Sequence, residues 1–124
     1  MSTQTSPVPT ELTLKKQTRT LVVKFADGVE AALSAEFLRV HSPSAEVQGH
    51  SAGEGMLVLG KENVAITRIE PVGRYAVRLV FDDGHDSGLF TWKALHEMCR
   101  RHAEMTQRYR DRVAAAAHEK RVSH

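Results

Sequence analysis

From Thr20 to Phe25 the chain alternates: Leu21, Val23 and Phe25 fall on one parity, Thr20, Val22 and Lys24 on the other. A period of two marks a strand with one buried face. A β-rich run from Glu11 to Lys15 precedes it across the polar link Lys16 to Thr18. Ala26-Asp27-Gly28 then supplies hairpin chemistry, so Val29 to Leu33 is predicted to return as the partner strand. Ser34 is placed to N-cap a short helix over 35–40, with Glu36 near its positive end and Phe37, Leu38 and Val40 on its apolar side. Ser42-Pro43 ends that helix, because a residue before proline is steered out of the α region.

The periodicity then stops. From His41 to Gly60 small polar residues and the glycines Gly49, Gly53 and Gly55 dominate, which predicts a long loop with at most a short strand at Met56 to Leu59. Val64 to Pro71 and Arg74 to Phe81 form a second predicted antiparallel pair across Val72-Gly73, with Tyr75, Val77, Leu79 and Phe81 alternating with Ala76, Arg78 and Val80. Asp82-Asp83-Gly84 turns the chain into a short return strand, Asp86 to Phe90. Thr91 reads as the N-cap of a long amphipathic helix over 92–113, with Trp92, Leu95, Cys99, His102, Met105, Tyr109 and Val113 near helical spacing. Ala114 to Ala117 is able to extend it, and Lys120 to His124 is expected to fray.

The fold class that follows is α+β: a small antiparallel sheet of about five or six strands packed against a long C-terminal helix, plus one short helix. Residues 11–113 form a single domain, 1–10 a polar, proline-bearing disordered leader, and 114–124 a fraying tail. At 124 residues and 41% hydrophobic content the chain suffices for one core without staples. Its single cysteine, Cys99, has no internal disulfide partner. The absence of an apolar signal run, and of any run near the roughly 18 residues that span a membrane, points to a cytoplasmic protein without membrane contact.

The net charge of +2 is too small to argue for nucleic acid. From Thr91 onward eight basic residues face four acidic ones. Arg100, Arg101, Arg108 and Arg112 could touch phosphates, but Glu97, Glu104 and Asp111 are interleaved at three- and four-residue spacing, which suits intrahelical pairing and a solvated face.

Candidate chemistry concentrates in two polar segments. His41, His50 and His85, with Glu46, Asp82, Asp83 and Asp86, are the only metal candidates, and they are too scattered for a zinc spacing motif. More simply, His85 and the aspartates shape a turn while His41 and His50 pin the loop. Ser42, Ser44, Ser51 and Ser87 lack a nucleophile-elbow context. Gly60-Lys61 lacks the glycine loop of a phosphate-binding motif. No catalytic constellation emerges. Cys99 and Trp92 read as packing on the last helix.

Read together, LRVHSPSAEVQGH at 38–50 and DDGHDSGLFTW at 82–92 resemble the gamma-butyrobetaine hydroxylase N-terminal-like domain, a bacterial family of unknown function. The similarity spans roughly Leu12 to Tyr109. In the hydroxylases this domain precedes an iron- and 2-oxoglutarate-dependent catalytic domain and holds a structural zinc through three cysteines of the first motif and one histidine of the second. Here His85 matches that histidine, whereas Ser42, Ser44 and Val47 fall at the cysteine positions. Neutral serine and valine cannot replace thiolates. The resemblance therefore implies the fold without zinc or any other cofactor, and 124 residues leave no room for the oxygenase barrel.

The same domain type is similar to a piece appended to some P-loop ATPases that carry iron–sulfur clusters. This implies an adaptor in cluster or metal-cofactor assembly, acting through protein contacts because a lone cysteine holds no cluster. The leading expectation is a non-enzymatic protein-binding module whose surface is formed by Arg39, His41, Ser42, Ser44, Glu46, His50, Asp83, His85 and Ser87, with the loop lying beside the 82–88 turn. The alternatives are a residual metal site on His85 and His41, accessory to an oxygenase, and nucleic-acid contact through the arginine-rich helix.

Overall fold

A computed structural model describes residues 7–42, 57–84 and 88–122, with side chains described as far as Ala117. Strands β1 (Pro9–Lys15), β2 (Thr20–Phe25) and β3 (Glu30–Ser34) form one antiparallel meander and lead into helix α1 (Ala35–Val40). Strands β4 (Ile66–Val72), β5 (Ala76–Phe81) and β6 (Gly88–Thr91) form a second, followed by helices α2 (Trp92–Arg100) and α3 (His102–Val122). The architecture is α+β with six antiparallel strands, as the alternation predicts. They are divided into two three-stranded sheets instead of one continuous sheet.

Of the four hairpin turns, the two that carry Asp-Gly use that glycine at positive φ. Gly28 has φ 92° and Gly84 has φ 88°, while Phe25 and Val29 close the first turn through a 2.9 Å backbone bond. The intervening Asp27 stays at negative φ, so this is a three-residue loop with one left-handed position. The expected N-caps form. Ser34 Oγ accepts from Phe37 N at 3.0 Å, and Thr91 Oγ1 accepts from Ala94 N at 3.0 Å.

One core joins the two sheets. Leu21, Val23 and Leu33 from the first meet Val77, Leu79, Phe81 and Phe90 from the second, with Phe37 and Leu38 of α1 and Leu95 of α2 closing it. Helix α2 packs on β2, β3 and β6. It is therefore the element that bridges the sheets.

Several boundaries differ from expectation. β1 begins at Pro9, two residues inside the expected leader; proline is tolerated there because the first residue of an edge strand need not donate. Tyr75 is exposed in a turn, and Ala76 and Val77 are both buried. Helix α2 covers that end of the strand: Trp92 donates from its backbone to Tyr75 O and from Nε1 to Arg74 O, each near 2.8–2.9 Å. The long terminal helix is two helices, broken at Arg101 (φ −107°, ψ 20°). α3 then runs on to Val122, past the expected end at 113. Residues 57–59 form no strand, and Met56 lies outside the described residues. No helix among the described residues is long and apolar enough to cross a membrane.

Candidate functional site

Helix α1 is short, so its C-terminal side chains diverge sharply. At about 100° per residue, positions two apart face nearly opposite ways. Arg39 points to the β5–β6 turn, and His41, at the C-cap, points to α3.

On the first side, the turn carrying Asp82-Asp83-Gly84 divides its two carboxylates by role. Asp82 is stitched to the entry of β4: its backbone N–H donates to Ala65 O at 2.9 Å and its Oδ1 accepts from Ala65 N at 3.0 Å. Asp83 is thereby turned toward α1. Its Oδ2 accepts from Arg39 Nε at 2.9 Å and from Lys61 Nζ at 2.6 Å. The Arg39, Asp83 and Lys61 side chains are only 12%, 18% and 23% exposed, so the cluster is half-sheltered and less screened than a surface pair. Three segments far apart in sequence meet there.

Ser42 is fully buried, and its backbone N–H donates to Arg39 O at 3.3 Å. A Cβ built on Gly88 would sit 3.3 Å from Ser42 Oγ and 2.9 Å from Phe90 Cε1. Only glycine lets the start of β6 approach the end of α1 this closely. The described parts of the two polar motifs are thus in contact, through Arg39–Asp83 and Ser42–Gly88.

His41 belongs to a different cluster. Its Nδ1–H donates to Phe37 O at 2.8 Å, which leaves Nε2 as the acceptor of the neutral ring. Phe37 lies between two imidazoles, with ring centroids 4.4 Å from His41 and 4.8 Å from His102. Tyr109 stands 6.2 Å beyond His41, and its hydroxyl donates to Val58 O at 2.7 Å. Burial pushes the His41 pKa down, and the nearby charges of Arg112 and His102 add to this against the opposing effect of the Phe37 carbonyl. A cleft of about 300 Å³ lies between α1 and α3 beside these rings. Burial likewise raises the Tyr109 phenol, reinforced by Glu36 and Glu62.

Of the nine residues expected to form one surface, the four that are described do not share a single face. The structure joins Arg39 with Asp83, buries Ser42 close to Gly88, and directs His41 elsewhere. Ser44, Glu46, His50, His85 and Ser87 lie outside the described residues, as do Val47 and Asp86. Among the described residues no group of three His, Cys, Asp or Glu side chains could hold a metal ion. Ser42, at the first of the positions carrying zinc-binding cysteines in the hydroxylases, offers only a buried neutral hydroxyl, which does not fit a thiolate-bound zinc.

Three participants were hidden from sequence reasoning. Lys61 carried no signal beyond a lysine after glycine. His102 and Tyr109 read as members of an apolar stripe. His96 forms a further cross-link, its Nε2–H donating to Asp27 Oδ2 at 2.8 Å while its ring meets Phe25 edge-on. Cys99 is buried and its thiol is pushed up to about 11, so it stays protonated and packs as an apolar group. The interleaved charges of α2 and α3 pair as expected: Arg100 with Glu97 at 2.6 Å, and Arg101 with Glu104 at 2.9 Å.

Comparison with known proteins agrees with this layout. A crystal structure of a protein of unknown function from Acidithiobacillus ferrooxidans, assigned to the DUF971 family, is 38% identical, covers 73% of this chain and 91% of its own, and superposes with a TM-score of 0.62. Two solution NMR structures are 46% and 47% identical, with TM-scores of 0.78 and 0.77. They cover 91% and 94% of this chain, and 89% and 88% of their own. No curated protein matches. The family model "Gamma-butyrobetaine hydroxylase-like, N-terminal" matches residues 12–96, from within β1 to within α2, and leaves out α3. The chain belongs to this gamma-butyrobetaine hydroxylase-like N-terminal domain family.

Proposed function

We propose that the protein is a non-enzymatic protein-binding module whose docking face centres on Arg39, Asp83 and Lys61. The observation that supports this most is the convergence of two cationic side chains, from α1 and the segment before β4, on a single carboxylate oxygen of the β5–β6 turn. Isolated charges are costly to shelter, and a sheltered charged cluster on a small domain is better suited to recognition than to stability. The resemblance to domains appended to cluster-carrying ATPases extends the proposal to an adaptor in metal-cofactor assembly. The module then acts through protein contacts and needs no cofactor of its own.

Affinity capture from the source cells, comparing wild type with Arg39→Ala and Lys61→Ala at matched folded fractions, tests the docking role. Proteins retained by wild type should be depleted in both variants. An unchanged set of captured proteins would remove the Arg39–Asp83–Lys61 face from consideration.

A further inference from the structure

We infer that this face receives an acidic segment of the protein partner, with a partner carboxylate seated against the outer nitrogens of Arg39 and beside Lys61. The inference rests on the protein-binding role proposed above and supplies the chemistry that the role lacks.

Asp83 Oδ2 accepts from both Arg39 Nε and Lys61 Nζ, so two cations share one carboxylate oxygen. Asp82 keeps its charge beside the cluster, but its Oδ1 accepts from Ala65 N, and among the described residues it makes no bond to Arg39 or Lys61. Arg39 bonds through Nε only; among the described residues its two terminal nitrogens have no acceptor. A guanidinium fixed at Nε has its plane set in advance, and its remaining N–H groups match the spacing of a carboxylate. At 12% exposure Arg39 is also partly desolvated already, which lowers the cost of admitting an anion.

The other charged clusters lack this combination. Arg68 and Arg78 share Glu70, but they contact different oxygens and are 67% and 46% exposed, so water already serves them. Arg100 and Arg101 are paired within their own helical segment to Glu97 and Glu104. Terminal nitrogens without an acceptor among the described residues, prior orientation and shelter coincide at Arg39.

The test is an NMR titration of the ¹⁵N-labelled full chain with a blocked tetraglutamate peptide, run beside tetralysine and inorganic phosphate. Saturable shifts at the Arg39 Nε–H and the amides around Leu38 and Lys61 are expected with the glutamate peptide alone. Arg39→Ala should weaken binding by about tenfold, the scale of one charge-assisted contact. Arg39→Lys keeps the charge without the fork and should weaken it less. Asp83→Asn removes the competing carboxylate and should tighten binding, the opposite of what a purely structural ion pair would give. Arg68→Ala should change nothing.

Shifts spread along α3, equal binding by phosphate, or weaker binding in Asp83→Asn would overturn the inference. If Arg39→Ala loses its spectral dispersion, Arg39→Lys and Asp83→Asn decide. Captured partners that depend on Lys61, together with no response to tetraglutamate, would leave the docking role standing and remove only its acidic chemistry.

Discussion

Arg39 Nε and Asp83 Oδ2 lie 2.9 Å apart although 44 residues separate them, and the bond ties the end of α1 to the turn between β5 and β6. Exposed ion pairs contribute about 0–1 kcal/mol, and this one is better sheltered and shares its acceptor with Lys61. A double-mutant cycle on Arg39→Ala and Asp83→Ala should give a coupling of about 1 kcal/mol in urea unfolding. A coupling indistinguishable from zero would mean that the bond does not hold the two motifs together.

Gly88 and Gly84 should respond differently to the same change. At Gly88 a new Cβ meets Phe90 at 2.9 Å, and Phe81 and Ser42 at 3.3 Å, inside a packed core, so Gly88→Ala should cost about 1–3 kcal/mol. At Gly84 nothing lies within 4 Å, and only φ +88° opposes a side chain. Gly84→Ala should cost about 1 kcal/mol, as expected for a left-handed position. Chemical denaturation of the two variants separates overpacking from backbone strain.

These positions also show how far the sequence reaches. The alternation of Leu21, Val23 and Phe25 and the capping residues Ser34 and Thr91 are local signals, and the structure follows them. Tyr75 falls outside β5 and is exposed despite the alternation, because Trp92, far along the chain, pins the preceding turn. The break at Arg101 has no glycine or proline to announce it. At the site, Asp82 and Asp83 are chemically identical neighbours. Only the bond from Ala65 decides which one is structural and which one meets Arg39. His41 and Arg39 share a motif but not a face, a consequence of where a six-residue helix stops.

His41 should leave a signature in acid. Its folded pKa is depressed below the ordinary 6.5, so the fold favours the neutral ring. The corresponding stability is present above the unfolded value and is lost as pH falls through the lowered folded value. Urea unfolding between about pH 5 and 7.5 should show an acid limb that flattens in His41→Gln. Asp27 is depressed too, chiefly by the Val29 N–H and then by His96, but its loss falls in the carboxylate range and does not mask this window. An identical acid limb in the variant would show that His41 gains no charge there.

Tyr109→Phe removes one hydroxyl that reaches from α3 to Val58 O. The expected cost is about 0.5–1.5 kcal/mol, with faster amide exchange in residues 57–60. Unchanged exchange would show that α3 is held by its apolar contacts alone.

The central claim is that the Arg39–Asp83–Lys61 face docks a protein. Site-specific photo-crosslinking in the source cells addresses it most directly, with a photoreactive side chain at position 62, next to Lys61, and a control at position 68, exposed on β4. A discrete crosslinked partner is expected from position 62 that disappears when Arg39→Ala is added, and none from position 68. Equal crosslinking from both positions, or a product from position 62 that survives Arg39→Ala, would contradict it.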